Sequence, residues 1–276
     1  MANSIPVCLT VAGSDCSGGA GIQADLKTFA ALGVFGASAI TALTAQNTTG
    51  LKGVFAVDPG FVRLQIDAVF DDFPVAAAKT GMLGDSATIT AVVEAFTLRP
   101  QCPLVVDPVL VARGGDPLLE PWAIGLLRDR LLPLATVIMP NRHEAVLLAG
   151  TGPITDVTSL RLAARTLFER TGRPILAKGG AILPGALDLL IDFDGEHPLT
   201  IADGPLDTCS THGAGCSLSA AIAAFLALGH TLRDAAAEAK QFVAGAIRHA
   251  PTMGQGYGPI HHGWLIHPGP GPGSGL

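Results

Sequence analysis

The chain has 276 residues, 49% of them hydrophobic, which is enough for one large α/β core rather than two small ones. Only 17 residues are Lys or Arg, none of them in a basic run, and the net charge is −6, so nucleic acid is not expected as a partner and any polyphosphate must be held by local amides, a few cations and metal. No apolar run reaches membrane-spanning length and residues 1–4 offer no basic, apolar leader, so a soluble, cytoplasmic protein with no membrane partner is expected.

The first predicted element is a strand at residues 7–11, Val-Cys-Leu-Thr-Val. It runs through Gly13, Ser14 and Asp15 into a glycine loop holding Gly18, Gly19 and Gly21, and then Ile22, Leu26 and Phe29 recur at helical spacing. Strand, glycine loop, helix is the order in which open α/β sheets bring backbone close to a ligand. The glycines do not fall as GxGxxG and nothing in the chain matches GxxxxGK[ST], so the dinucleotide and P-loop readings lose their main support. Taken alone, the loop reads as a structural turn before it reads as a site.

Further strands are predicted at residues 37–43, 76–79, 104–106, 137–139 and 175–177, separated by amphipathic helices. The helices are marked by Phe61, Leu64 and Val69, by Ile89, Val92, Val93 and Phe96 after an Asp85 cap, and by Leu160, Ala163, Ala164 and Leu167. Short apolar strands alternating with helices predict one doubly wound, predominantly parallel sheet covered on both faces. Residues 187–191, the turn pair Asp194-Gly195 and residues 199–201 predict an antiparallel edge hairpin. Thr231 with Asp234 caps a last long helix through Ile247. The Pro/Gly-rich stretch 268–276 is expected to be a disordered tail, which leaves one domain over residues 1–267.

Polar residues stand where these strands end. Val106 is followed by Asp107, and Met139 by Pro140, Asn141 and, one helical turn on, Glu144. Asp107 and Glu144 suit Mg²⁺ held partly through water, because that ion takes oxygen ligands and shares its shell with phosphates; the competing reading is two acids capping helices. Ala177 leads into Lys178 and two glycines, which sets an ammonium beside flexible backbone where a transferring phosphate would need one.

Gly213, Ala214 and Gly215 then open a helix marked by Leu218, Ala221, Ile222 and Phe225. The first amides of a helix have no internal partner and the macrodipole is positive there, so this start is a candidate anion hole. Cys216 lies in the same field, which would stabilise its thiolate and make it a candidate base or nucleophile; otherwise it is one more small apolar residue. Five cysteines without CxxC spacing argue against a disulfide framework and a zinc cluster, and adjacent His261 and His262, lacking other clustered ligands, are expected to face solvent. Residues 111–116, next to the Asp107 strand end and holding adjacent glycines, read as a flap over the site or as an ordinary surface loop.

Several of these segments together, AGSDCSGGAGIQADLKTFAALG at 12–33, ITALTAQNT at 40–48, KTGML from Lys79, VVDPVLVARGGDPLL from Val105, MPNRHEA from Met139, AKGG from Ala177 and STHGAGCSLSAAIAA from Ser210, resemble the hydroxymethylpyrimidine/phosphomethylpyrimidine kinases of the ribokinase superfamily over nearly the whole chain. The resemblance implies a ribokinase-like fold, a homodimer, and ATP- and Mg²⁺-dependent phosphorylation of 4-amino-5-hydroxymethyl-2-methylpyrimidine and then of its monophosphate for thiamine synthesis. Carried over by motif, Gly13, Asp15, Gly18, Gly19 and Gly21 border the substrate, Gln46 bonds the aminopyrimidine edge, and Met82 and Val109 pack on the ring. Asp107, Asn141 and Glu144 serve ATP·Mg²⁺, Lys178 the phosphates, residues 213–215 the anion hole, and Cys216 takes the base-like role. Ala214 and Ala181 replace a usual Thr and His, and Arg142-His143 replace a commonly apolar or proline-containing pair. The Gly-Ala-Gly-Cys form also occurs in pyridoxal-type kinases of the same branch, so pyridoxal kinase is the near alternative and a non-catalytic pyrimidine- or nucleotide-binding protein the distant one.

Overall fold

Strand residues alternate between two apolar layers with a period of two. On one side Leu9, Val11, Ala78, Leu104, Val106, Ile138, Ile175 and Ala177 join one core, and on the other Cys8, Ala77, Val105, Val137, Met139 and Leu176 join a second. Successive strand side chains point to opposite faces, so runs apolar at every position place a sheet between two helical layers. The protein is described by a computed structural model over residues 5–111, 115, 117–180, 183–201 and 208–266. Ala181, the tail at 268–276 and all of the expected flap except Val111 and Gly115 lie outside the described residues.

Among the described residues the strands form one nine-stranded sheet: β1 (Val7–Asp15), β2 (Phe35–Asn47), β3 (Gly50–Ala56), β4 (Val75–Thr80), β5 (Leu104–Val106), β6 (Val137–Ile138), β7 (Ile175–Lys178), β8 (Asp188–Asp192) and β9 (Gly195–Leu199). Their order is β3-β2-β1-β4-β5-β6-β7-β8-β9. β2, β1, β4, β5, β6 and β7 run parallel to one another in the centre, while β3, β8 and β9 pair antiparallel at the edges. The predicted edge hairpin is present, with its second strand at 195–199 rather than 199–201. A second antiparallel pair, β2 with β3, closes the opposite edge and was not legible in the sequence.

Helices α2 (Pro59–Asp72), α3 (Ser86–Thr97), α4 (Ala123–Leu126), α5 (Arg142–Ala149) and α6 (Val157–Thr171) bury Val62, Ile66, Ile89, Ala123, Leu148 and Leu160 in the first core. Helices α1 (Gly21–Ala31), α7 (Ala214–Ala227) and α8 (Leu232–Arg248) bury Phe29, Ala221, Ile222 and Phe242 in the second. The predicted caps form: the Asp85 carboxylate accepts from the Thr88 N–H, and the Thr231 hydroxyl from the Asp234 N–H. Each such cap is worth about 1 kcal/mol. The strand order reverses at β1, whose neighbours β2 and β4 lie on opposite sides, and open sheets bind ligands outside the carboxyl ends of strands at such a point. No helix among the described residues is long and apolar enough to cross a membrane.

Candidate active site

A cavity of about 290 Å³ opens at that reversal, over the carboxyl ends of β1, β4, β5 and β7 and the amino end of α7. Every sequence-predicted site residue lines it except Gly18 and Gly19. Those two lie one layer back: the Gly18 N–H closes a turn on the Asp15 carbonyl at 2.9 Å, and the Gly18 carbonyl accepts from Lys27 Nζ at 2.7 Å. Gly213 has a φ of +79°, and a Cβ there would fall on the Gly19 carbonyl, so the two glycine segments pass in direct backbone contact.

Asp15 explains how the two loops hold together. Its Oδ1 accepts from the Ser17 N–H (2.8 Å) and hydroxyl (2.7 Å), and its Oδ2 accepts from the Ala20 N–H at 2.7 Å and meets His212 Nε2 at 2.9 Å. Burial alone would raise its pKa, but the bonds from His212, Ser17 and Ala20 bring it down to about 2. The carboxylate therefore organises the first glycine loop and ties it to the residue before Gly213. His212 lines the cavity and was missed in the sequence, where only its neighbour on the anion-hole side carried a signal.

Lys178 at the end of β7 reaches Asp107 Oδ1 at 2.7 Å, and Asp107 Oδ2 is 3.5 Å from the Ser219 hydroxyl. Burial would lower the Lys178 pKa; Asp107 and Glu144 outweigh it and hold the ammonium charged. Asn141 caps α5, and Glu144 completes a capping box: Asn141 Oδ1 accepts from the Glu144 N–H at 3.0 Å, and Glu144 Oε2 from the Asn141 N–H at 2.7 Å. Glu144 is thus a helix cap and a cavity residue at once. Burial pushes it up to about 7, Lys178 pulling down and Asp107 pushing up.

Cys216 stands in the first turn of α7, half-buried, with the Gly21 N–H donating to its sulfur. Burial pushes this thiol up to about 11 although the nearby Lys79 ammonium pulls it down. The expectation of a resident thiolate is corrected on this point: desolvation outweighs the helix terminus, and the free protein carries a thiol. Gln46 lines the cavity from β2, and Cys16 grips its backbone, the sulfur lying 3.4 Å from the Gln46 N–H and 3.2 Å from its carbonyl. Met82 and Val109 supply apolar wall. His262 is buried rather than solvent-facing; its Nε2 meets the Ser217 hydroxyl at 2.9 Å and burial lowers its pKa to about 4.

A cavity at the sheet reversal lined by the amino end of α7, two ammonium groups, three carboxylates and a thiol has the parts a phosphoryl transfer needs. A family model described as phosphomethylpyrimidine kinase matches residues 15–261. The chain belongs to that family. The hydroxymethylpyrimidine/phosphomethylpyrimidine kinase of Haemophilus influenzae is 43% identical over 264 residues, covering 94% of this chain and 97% of that one. The thiamine biosynthesis bifunctional protein ThiED of Geobacter sulfurreducens is 48% identical over 92% of this chain, but the chain spans only 51% of its length. Among solved structures, the pyridoxal kinase of Bacillus subtilis in its ADP complex superposes with a TM-score of 0.88 at 37% identity, covering 96% of this chain and 100% of that one.

Proposed function

We propose that the protein transfers the γ-phosphate of ATP to the hydroxymethyl group of 4-amino-5-hydroxymethyl-2-methylpyrimidine, and then a second phosphate to the monophosphate so formed. The observation that carries this reading is the convergence of Lys178, paired to Asp107 at 2.7 Å, with Glu144 and the amino end of α7 on one cavity whose wall also holds Gln46. The side chain of Gln46 makes no hydrogen bond to another described residue, which leaves its amide free to pair with the pyrimidine edge while Met82 and Val109 cover the ring faces.

In the first step, in the fraction of protein whose Cys216 thiol has already lost its proton to solvent, the acceptor oxygen attacks the γ-phosphorus, its proton passes to the Cys216 thiolate, and ADP leaves with the pair of electrons from the broken bond. Lys178 and the first amides of α7 hold the transferring group as negative charge gathers on its oxygens. The second acceptor is already an anionic phosphate, so it needs no base. Mg²⁺, when bound with the nucleotide, neutralises phosphate charge. Both Glu144 oxygens already accept backbone N–H groups, from Asn141 at 2.7 Å and Leu110 at 3.4 Å, and Asp107 is held by Lys178, so the donor set fits an ion that keeps its waters and reaches these acids through them. No group of three His, Cys, Asp or Glu among the described residues forms a protein-only cage.

A second reading is phosphorylation of pyridoxal, favoured by the pyridoxal kinase neighbour and by Ala214. Leu43 and Phe55 are cross-strand partners on β2 and β3, 47% and 70% exposed on one face, and we assign them to the contact of a homodimer. Incubation with ATP, Mg²⁺ and the hydroxymethylpyrimidine, followed by mass spectrometry, tests the main reading: monophosphate then diphosphate is expected. Intact substrate after confirmed binding would instead mark a non-catalytic binding protein.

A further inference from the structure

Behind the cavity wall lies a charge pair to which no role has been given. Lys79, near the end of β4, and Asp25, on α1, are both fully buried, and Lys79 Nζ lies 3.0 Å from Asp25 Oδ2. The Thr10 hydroxyl, on the residue that pairs with Lys79 across β1 and β4, donates to the same oxygen at 2.7 Å. Asp25 Oδ1 has no hydrogen-bond partner. As a stabilising device this is poor: two buried charges lose their hydration, and a carboxylate oxygen without a partner leaves that loss partly uncompensated.

The ammonium does not end in the core. Lys79 lines the active-site cavity beside Gly81, where a Cβ would stand 3.0 Å from the Ala12 Cβ and 3.2 Å from Nζ. Cys216 shares the cavity with both ammonium groups, and of the charges that face its sulfur Lys79 on β4 is the strongest, favouring the thiolate while Asp25 behind it and Asp107 beside it oppose. The two cations are not equivalent. Lys178 is paired with Asp107 and, on the reading above, is taken up by the transferring phosphate, whereas Lys79 is anchored from behind by Asp25 and keeps its place when phosphates fill the cavity. A base at Cys216 must work beside those phosphates, whose charge opposes a thiolate, so it needs a cation that they do not claim.

We propose that Lys79, anchored by Asp25, is the fixed counter-cation of the Cys216 thiolate, a positioning residue that acts through Cys216 in the transfer to an alcohol acceptor. The proposal rests on the base role given to Cys216. It assigns Lys79 to the first phosphorylation and leaves the second, whose acceptor is already an anion, largely independent of it.

The test replaces the pair by neutral groups of the same shape, Lys79→Gln with Asp25→Asn, so that no single charge is stranded in the core. Two readouts are taken. Carbamidomethylation of Cys216 by iodoacetamide in the ligand-free protein, followed peptide by peptide with mass spectrometry between pH 7 and 10, should slow about threefold at a given pH, since the loss of the Lys79 charge outweighs the loss of the Asp25 charge that opposes it. Single-turnover transfer to the hydroxymethylpyrimidine should fall by a similar factor, about threefold, and transfer to the monophosphate less. If the double variant does not fold, Gly81→Ala crowds Nζ without removing its charge and should shift both readouts the same way. Unchanged Cys216 alkylation, or equal loss on the two acceptors, overturns the proposal. Greater loss on the monophosphate overturns it too, by giving Lys79 to the incoming phosphate instead. If the parent protein phosphorylates neither acceptor, the functional reading fails, while the alkylation rates still decide whether Lys79 governs the thiol.

Discussion

Cys216→Ala should slow transfer to the alcohol by about 10²-fold, the low end of the range for a general base, and transfer to the monophosphate much less. The size follows from the thiol. With its pKa at about 11, only about one Cys216 in 10⁴ is ionised at pH 7 before ligands bind, so the parent works with a base poorly matched to neutral pH. The same value predicts a pH signature. Each unit of pH raises the thiolate fraction tenfold until the pKa is approached, so the ratio of the alcohol step to the phosphate step should climb between pH 7 and 9 in the parent and stay flat in the variant. Taking the ratio cancels groups that serve both steps, Glu144 among them. Rapid-quench single-turnover assays with saturating ATP measure each step apart from product release. Equal loss in both steps, or an alcohol-to-phosphate ratio that climbs with pH as much in Cys216→Ala as in the parent, would refute a base role for Cys216.

Gln46→Ala should weaken binding of the hydroxymethylpyrimidine by about 1–3 kcal/mol in calorimetry and leave ATP affinity unchanged, since it removes an edge contact alone; equal pyrimidine affinity in both proteins would take Gln46 out of the site. Asp15 is held at about 2, below its unfolded value of 3.8, so its stabilisation is present above pH 4 and lost as pH falls through 2. Asp15→Asn should therefore cost roughly 1–2 kcal/mol in urea unfolding at pH 7, with the gap to the parent narrowing as pH falls from 4 toward 2; a gap independent of pH would mean the charge is not the stabilising feature. Phe55→Lys should turn a dimer into a monomer in light scattering, and a parent already monomeric at micromolar concentration would remove the interface assigned to Leu43 and Phe55.

The central strands were legible because they are covered on both sides: residues 104–106, 137–139 and 175–177 are apolar at every position, which only a two-layered sheet requires. β3 escaped for the opposite reason. Lys52, Gly53, Val54, Phe55 and Ala56 are all exposed, so no buried face imposed an alternation to read. β2 reads as a strand through Leu43 yet runs on to Asn47, continuing to pair with β3 from Ala45 onward after Thr44 has met Asp15 of β1, and that extension carries Gln46 over the cavity. Strand-end polarity found Asp107, Asn141, Glu144 and Lys178, because a charged group beside a buried strand is placed by the topology itself. What sequence could not supply was partnership at a distance: Asp15 with His212, and Asp25 with Lys79. The state of Cys216 failed for a related reason, since a local pattern reveals a helix terminus but not the burial that outweighs it.

The central claim is that this cavity phosphorylates a hydroxymethylpyrimidine rather than pyridoxal. The most direct measurement is kcat/KM for the two acceptors, with the same protein, ATP and Mg²⁺, and with products identified by mass spectrometry. The account predicts a higher value for the hydroxymethylpyrimidine and conversion of its monophosphate to the diphosphate. A higher value for pyridoxal, with no diphosphate formed from the pyrimidine, would contradict it.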